Sequence, residues 1–317
     1  MQAIVIDPQS PQRVGFRTVE PPIPGPSDAL VRVNAISINR GEVVYRVHGE
    51  AGTRLGWDLA GVVEQPAADG SGPARGARVV GLLRSGAWAE QAAVPVNALA
   101  ELEPSVTFAQ AAALPTAGLT ALAAIGPGGS LIARPVLVTG ASGGLGLIAC
   151  RLAALAGAQV VGQVRQPRLA PLVHEAGADH VVADENVAAA GPFGPYDLIV
   201  EQLGGQALAE AMTQLAPGGI CVSAGVSIGP EGYLVPVDMA RMRRAPGAGL
   251  RILNLYHELE REPASRGLQR LVRLAGAGKL TPHLGVEADW REISEVAQAL
   301  LDRRFPGKAV LHISGEA

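Results

Sequence analysis

The sequence predicts a two-lobed α/β protein: a β-rich lobe over residues 1–115, a parallel sheet wound with helices over 116–255, and a return to the first lobe over 256–317. Three observations carry this. At 317 residues the chain exceeds what one hydrophobic core usually organises. Its rhythm changes near residue 134 from strand-and-turn to strand-helix-strand, and it ends on a strand after two helical stretches.

The first lobe is read from the apolar segments QAIVI, ALVRVNAISI, DLAGVVE and ARVVGLL, separated by breakers such as PPIPGPSD and AADGSGPARG. ALPTAGLTALAAI closes it. PVLVTG then leads to the helix LGLIACRLAALAG, the strand QVVGQV and the helix LAPLVHEAG. HVV and YDLIVEQ follow, then a helix over about 206–215, GICVSAG and LRILNLY. Continuous apolar strands alternating with helices predict a parallel sheet covered on both faces. The tail carries the helical patterns RGLQRLVRLAGAG and EISEVAQALLDRR and ends in KAVLHIS.

The formal net charge of −3 offers no basic field for nucleic acid or an anionic membrane. The first residues carry Asp7 and lack the basic flank and long apolar core of a signal peptide. The most apolar region, 109–133, is interrupted by Pro115, Gly118 and Pro127, too often for a membrane span. A soluble cytoplasmic protein is expected, acting on a small molecule. Cys150 and Cys221 are the two cysteines, which excludes a disulfide framework and a four-cysteine zinc site.

VLVTGASGGLG, residues 136–146, is the stretch richest in chemical information. Thr139 and Gly140 end a strand; Ala141, Ser142, Gly143, Gly144, Leu145 and Gly146 form A-x-G-x-x-G and open an amphipathic helix. A helix N-terminus offers unpaired N–H groups and partial positive charge, so a pyrophosphate can sit there if no side chain blocks it. Gly143 permits that approach, and Gly146 lets the helix lie close to the sheet. A second strand follows at the spacing of a dinucleotide site. About 20 residues on, where an acid would grip the ribose of NAD, the chain reads QVRQPR with Arg165 and Arg168. Arginine forks onto a 2′-phosphate, which favours NADPH; the alternative is a solvated edge.

VNAISIN, GWDLAGVVE, AEQAAVP, AAALPTAGLTAL, VTGASGGLG, AGADHVV, YDLIVEQLGG, LAPGGICVSAG and FPGKAVL, in this order and spacing, resemble zinc-free medium-chain dehydrogenases/reductases of the quinone oxidoreductase type nearly end to end. The resemblance implies a GroES-like catalytic lobe, a Rossmann lobe, a cofactor cleft between them and often a homodimer. Zinc enzymes of that superfamily carry cysteine where this chain has Asn39, and histidine in G-H-E where it has Gly56-Trp57-Asp58. No cysteine precedes Cys150, so no catalytic zinc is expected.

Without a metal to stabilise an alkoxide, the accessible chemistry is hydride addition to an acceptor that delocalises its charge, a quinone or a C=C conjugated to a carbonyl. The resemblance puts Asn39 and Thr120 near nicotinamide and substrate. In NRGEVVYRVHG, Glu42 takes the family's acid position, and the segment before Gly49 is one residue longer. Tyr45 is a candidate proton donor or a packing residue; His48 is expected on the surface. Trp57 is expected to fill the metal's space, and Asp58 to tie down a loop. Glu201 either faces the cofactor or caps the next turn. Ser223, Ala224 and Gly225 are expected beside the nicotinamide ribose, and Lys308 at the cofactor or in solvent. An enoyl-thioester reductase, or a non-catalytic NADPH-binding sensor or structural protein, stand as alternatives.

Overall fold

The computed structural model describes residues 1–44, 46–225, 235 and 238–313. Contacts divide the chain into two units: Met1–Leu119 together with the chain from Leu259 onward, and Thr120–Glu258.

In the first unit β1 (Gln2–Ile6) and β2 (Val14–Thr18) form an antiparallel pair. The long strand β3 (Asp28–Ile38) is followed by the short helix α1 (Arg40–Val44). Next come β4 (Asp58–Gln65), β5 (Arg78–Leu82), β6 (Gln91–Pro95), β7 (Leu99–Glu101), α2 (Phe108–Ala112) and α3 (Pro115–Ile125), whose C-terminal half belongs to the second unit. Burial in β3 alternates at first and becomes continuous from Ala35 to Ile38, because only its end is covered on both faces.

The second unit runs β8 (Pro135–Val138), α4 (Gly144–Leu155), β9 (Gln159–Val164), α5 (Ala170–Glu175), β10 (His180–Ala183), β11 (Tyr196–Glu201), α6 (Gly205–Met212), β12 (Leu215–Ser223), α7 (Met239–Met242), β13 (Gly249–Ile252) and α8 (Leu255–Arg261). Its six strands are all parallel, in the order β10-β9-β8-β11-β12-β13. Counted from β8 this is 3-2-1-4-5-6, the doubly wound Rossmann order, whose direction of winding reverses between β8 and β11. LRILNLY divides: the strand stops at Ile252 and α8 starts at Leu255.

The chain then returns through α9 (Ala264–Gly276), β14 (Leu284–Asp289), α10 (Ile293–Leu301) and β15 (Lys308–His312). β15 pairs antiparallel with β3 and parallel with β14, completing the sheet β14-β15-β3-β4-β5-β7, with β6 also on β3. Two registers decide which polar residues meet inside this unit. Ala309 lies opposite Ile38, which brings Lys308 level with Asn39, and Ser37 lies opposite Asp58.

α4 buries Leu147, Ile148, Ala149, Cys150, Leu152 and Ala153. It comes so close to its own loop that a Cβ on Gly146 would meet Gly140 O at 2.6 Å and Ala141 Cα at 2.7 Å, both backbone atoms. Gly146→Ala is therefore expected to push α4 outward and destabilise the second unit by about 1–3 kcal/mol, read as a lowered urea midpoint; an unchanged midpoint would show that the loop yields freely.

Candidate functional site

The carboxyl ends of β8, β11 and β12 converge in the second unit, and they carry most of the residues expected at a cofactor. β8 runs into Thr139 and Gly140, the latter at φ +57, a left-handed turn that costs glycine little. Gly143 N-caps α4 with extended backbone and no side-chain cap. The N–H groups that open the helix are thus left without a side-chain partner. A Cβ built on Gly143 would meet only Gly140 O at 3.4 Å. The loop therefore fits an approaching pyrophosphate on the test that matters, the open space at its middle glycine. Ser142, Gly144 and Leu145 are half-buried, while Ala141 is fully buried against Gly162 and donates its N–H to the Gln163 carbonyl at 2.8 Å.

Glu201 is turned inward. It is fully buried at the end of β11, where Oε1 accepts from Leu203 N (2.6 Å), Gly204 N (3.1 Å) and Thr139 Oγ1 (3.3 Å). Burial raises its pKa, and these donors pull the other way. It caps the turn into α6, one of the two expectations from sequence. Thr139 is likewise spent inside: its hydroxyl also accepts from Gln202 N (3.2 Å). Ser223 is buried, and beyond it Ala224 donates to the Glu201 carbonyl (2.7 Å) and Gly225 is exposed. Arg165 and Arg168 are both exposed just past β9, with no ion pair to an acid among the described residues. Gln163 and Gln202, which sequence reasoning did not single out as site residues, reach the Gly140 peptide from either side. The signal for Gln163 was a polar side chain in the otherwise apolar run VVGQV.

In the first unit the registers of β15 and β4 against β3 assemble a buried polar cluster. Lys308, expected at the cofactor, is 5% exposed and turned inward. Its Nζ donates to Asn39 Oδ1 (2.6 Å), the Ile38 carbonyl (3.2 Å) and Asp58 Oδ2 (3.5 Å), which takes all three of its hydrogens. Asn39 Nδ2 donates to Asp58 Oδ2 (2.8 Å) and Glu42 Oε2 (2.9 Å), so both amide hydrogens are committed as well. Asp58 also accepts from Ser37 Oγ (2.7 Å) and from the N–H and hydroxyl of Thr116 (3.0 and 2.5 Å). Glu42 accepts the Asn39 N–H (2.9 Å) from one turn back, half of a capping box, and the Trp57 N–H (2.8 Å). The Trp57 ring lies against Gly41 of α1. Thr120 is buried in α3, His48 is exposed, and Tyr45 lies outside the described residues.

This cluster does not fit a metal ion. The positions that carry cysteine and histidine in zinc enzymes hold an amide and an indole, and an ammonium occupies the polar interior between Asn39 and Asp58. Among the described residues no three His, Cys, Asp or Glu side chains are grouped to hold one. Burial and the neighbouring Asp58 carboxylate push the Glu42 carboxyl up to about 8, against the N–H groups that favour its ionised form. Burial pulls Lys308 down, against the pull of the two carboxylates.

A carboxyl whose pKa is higher folded than unfolded contributes stability that is complete below the unfolded value, near 4.5, and is lost as pH rises through about 8. Glu42→Gln keeps an acceptor and cannot ionise. Between pH 5 and 8 the variant is expected to gain on the parent by up to about 1.4 kcal/mol per pH unit, read from urea melts of both proteins across that range. A stability difference independent of pH would refute the raised Glu42.

Comparison with known proteins agrees with both halves of the chain. Residues 25–104 match the alcohol dehydrogenase GroES-like domain, and residues 144–255 match the zinc-binding dehydrogenase family. The quinone oxidoreductase of Pseudomonas aeruginosa is 30% identical over 236 residues, 69% of this chain and 71% of that protein. The quinone oxidoreductase-like protein 2 homolog of Nematostella vectensis is 26% identical over 308 residues, 91% of this chain and 82% of that one. Among solved structures, a mycobacterial protein complexed with NADPH has the same fold, with TM-score 0.87 at 24% identity, covering 99% of this chain and 100% of that one. With a GroES-like unit, a doubly wound unit and an ammonium-centred cluster in place of a metal set, this chain belongs to the zinc-free, quinone oxidoreductase-like medium-chain dehydrogenases/reductases.

Proposed function

We propose that this protein is an NADPH-dependent, metal-independent reductase of quinones or α,β-unsaturated carbonyl compounds, working in the cytoplasm. The observation that carries the cofactor reading is the open glycine loop at the β8/β11 reversal, with exposed Arg165 and Arg168 where an NAD site would place an acid. The N–H groups at the start of α4 would receive the pyrophosphate, and the two arginines the 2′-phosphate. Ser223 and Gly225, at the end of the next strand, would border the nicotinamide ribose. NADPH, when bound, supplies the hydride. The reading also draws on the NADPH held by the mycobacterial relative of this fold.

The acceptor class is set by what the polar cluster can offer. The hydrogens of Lys308 and of the Asn39 amide are committed within it, so neither residue is a ready electrophile for an alkoxide. Asn39 thus acts by holding α1 and β15 in place. A quinone or enone spreads its own negative charge and asks the protein only for a hydrogen bond and a proton.

We propose further that the protein is a homodimer built on the edge of the second unit's sheet. Among the described residues β13 ends that sheet and exposes Leu250 (41%) and Ile252 (69%), an apolar edge that monomers seldom leave open.

NADPH consumption is expected with quinones or enones; turnover of enoyl thioesters alone would move the protein to a biosynthetic reductase, and tight binding without turnover to a sensor. Arg165→Ala combined with Arg168→Ala is expected to weaken NADPH about 10- to 100-fold and leave NADH affinity unchanged in fluorescence titrations; equal losses for both nucleotides would remove the arginines from 2′-phosphate recognition. Ile252→Glu is expected to convert a dimer to a monomer in light scattering, and a dimer of undiminished stability would place the interface elsewhere.

A further inference from the structure

The first peptide of the glycine loop is gripped by two side-chain amides from neighbouring strands. Gln163, 1% exposed on β9, accepts the Gly140 N–H at Oε1 (3.1 Å) and donates Nε2 to the Asp184 carbonyl (2.5 Å). That carbonyl can only accept, which fixes the end of the amide that faces the loop. Gln202, just past β11, donates Nε2 to the carbonyls of Thr139 (2.7 Å) and Gly140 (3.3 Å). Between them they hold the N–H and the C=O of the one loop residue whose backbone is in the left-handed region, and whose conformational freedom is otherwise greatest.

Packing alone does not account for these residues. A buried amide costs stability unless its hydrogen bonds are met, and an apolar side chain of similar volume would fill the same space without that demand. Every bond that Gln163 makes outside the strand ladder goes either to the glycine loop or to the carbonyl that orients it. The loop so held is the one whose N–H groups open α4. A loop ordered before its ligand arrives loses less freedom on binding.

We propose that Gln163 and Gln202 are positioning residues for the dinucleotide, a two-sided amide clamp that holds Gly140, whose carbonyl also takes the Gly143 N–H (3.0 Å), so that the N–H groups from Gly144 to Gly146 are set before the pyrophosphate arrives. The proposal rests on the reading of this loop as an NADPH site. Its reach is affinity for the cofactor rather than the choice between NADPH and NADH, because both share the pyrophosphate.

The test begins with NADPH and NADH titrations of the unaltered protein; absence of binding overturns the cofactor reading, and the clamp with it. Where the unaltered protein binds, Gln163→Met and Gln202→Met are each expected to weaken both nucleotides about three- to tenfold, and the double variant more than either. With any acceptor that is turned over, the loss is expected in KM for the nucleotide rather than in kcat, a split that a merely structural defect would not produce. Dissociation constants within twofold of the parent in folded single and double variants would overturn the clamp while leaving the cofactor reading intact. Hydrogen exchange on the unaltered protein tests the same point without substitution. The Gly140 and Ala141 amides are expected to be protected already without nucleotide; protection that appears only on adding NADPH would overturn the clamp.

Discussion

One buried carboxylate sets the terms for the first unit. Asp58 accepts hydrogen bonds from Ser37 on β3, Asn39 at the start of α1, Thr116 in α3 and Lys308 on β15, a residue 250 positions away. A carboxylate so buried is tolerable only with such partners. Each partner is the end of a different element, so satisfying one charge fixes five pieces of backbone. It also explains why the chain must come back: the cation that balances Asp58 lies beyond the whole second unit in sequence, and the sheet of the first unit is complete only when β15 pairs with β3.

The second unit is organised on the opposite principle. Its proposed cofactor edge is built from backbone, in the N–H groups of a glycine loop, and its side chains serve that backbone. Glu201, Thr139, Gln163 and Gln202 all turn inward at the carboxyl ends of the strands. The exposed groups, Arg165, Arg168 and Gly225, are those without such duties.

This contrast accounts for what could be read from the sequence. The glycine loop was legible because its parts are contiguous: strand, turn and helix follow within a dozen residues, and each leaves a local pattern. The doubly wound order was legible from continuous apolar strands alternating with helices. The inward turn of Lys308 was not legible because its position depends on the register of β15 against β3, which no local pattern encodes. Glu201 offered a strand-end carboxylate and nothing to show which way it turned; the adjacent Leu203 and Gly204 N–H groups decide that. β14 was missed because LGVEAD alternates too weakly to announce a strand, and its half-buried residues confirm why. The strand LRILNLY ran on into helix because its apolar character continues across the turn at Asn254, where a side-chain oxygen takes the N–H of Tyr256.

The charge balance of the buried cluster bears on the proposed chemistry. A hydride acceptor gains negative charge, and something must stabilise it. The buried cluster holds a cation, yet that cation's hydrogens are directed at Asn39, Ile38 and Asp58, and the Asp58 carboxylate is its counter-charge. Its field is largely cancelled within a few ångströms, so it cannot act at a distance as a metal ion would. In the proposed reaction, stabilisation would then fall to the acceptor's own delocalisation and to ordinary hydrogen bonds, which suffice for a hydroquinone or an enolate and are inadequate for a simple alkoxide. The proposed acceptors are those that suit a protein whose charges are already spent on one another.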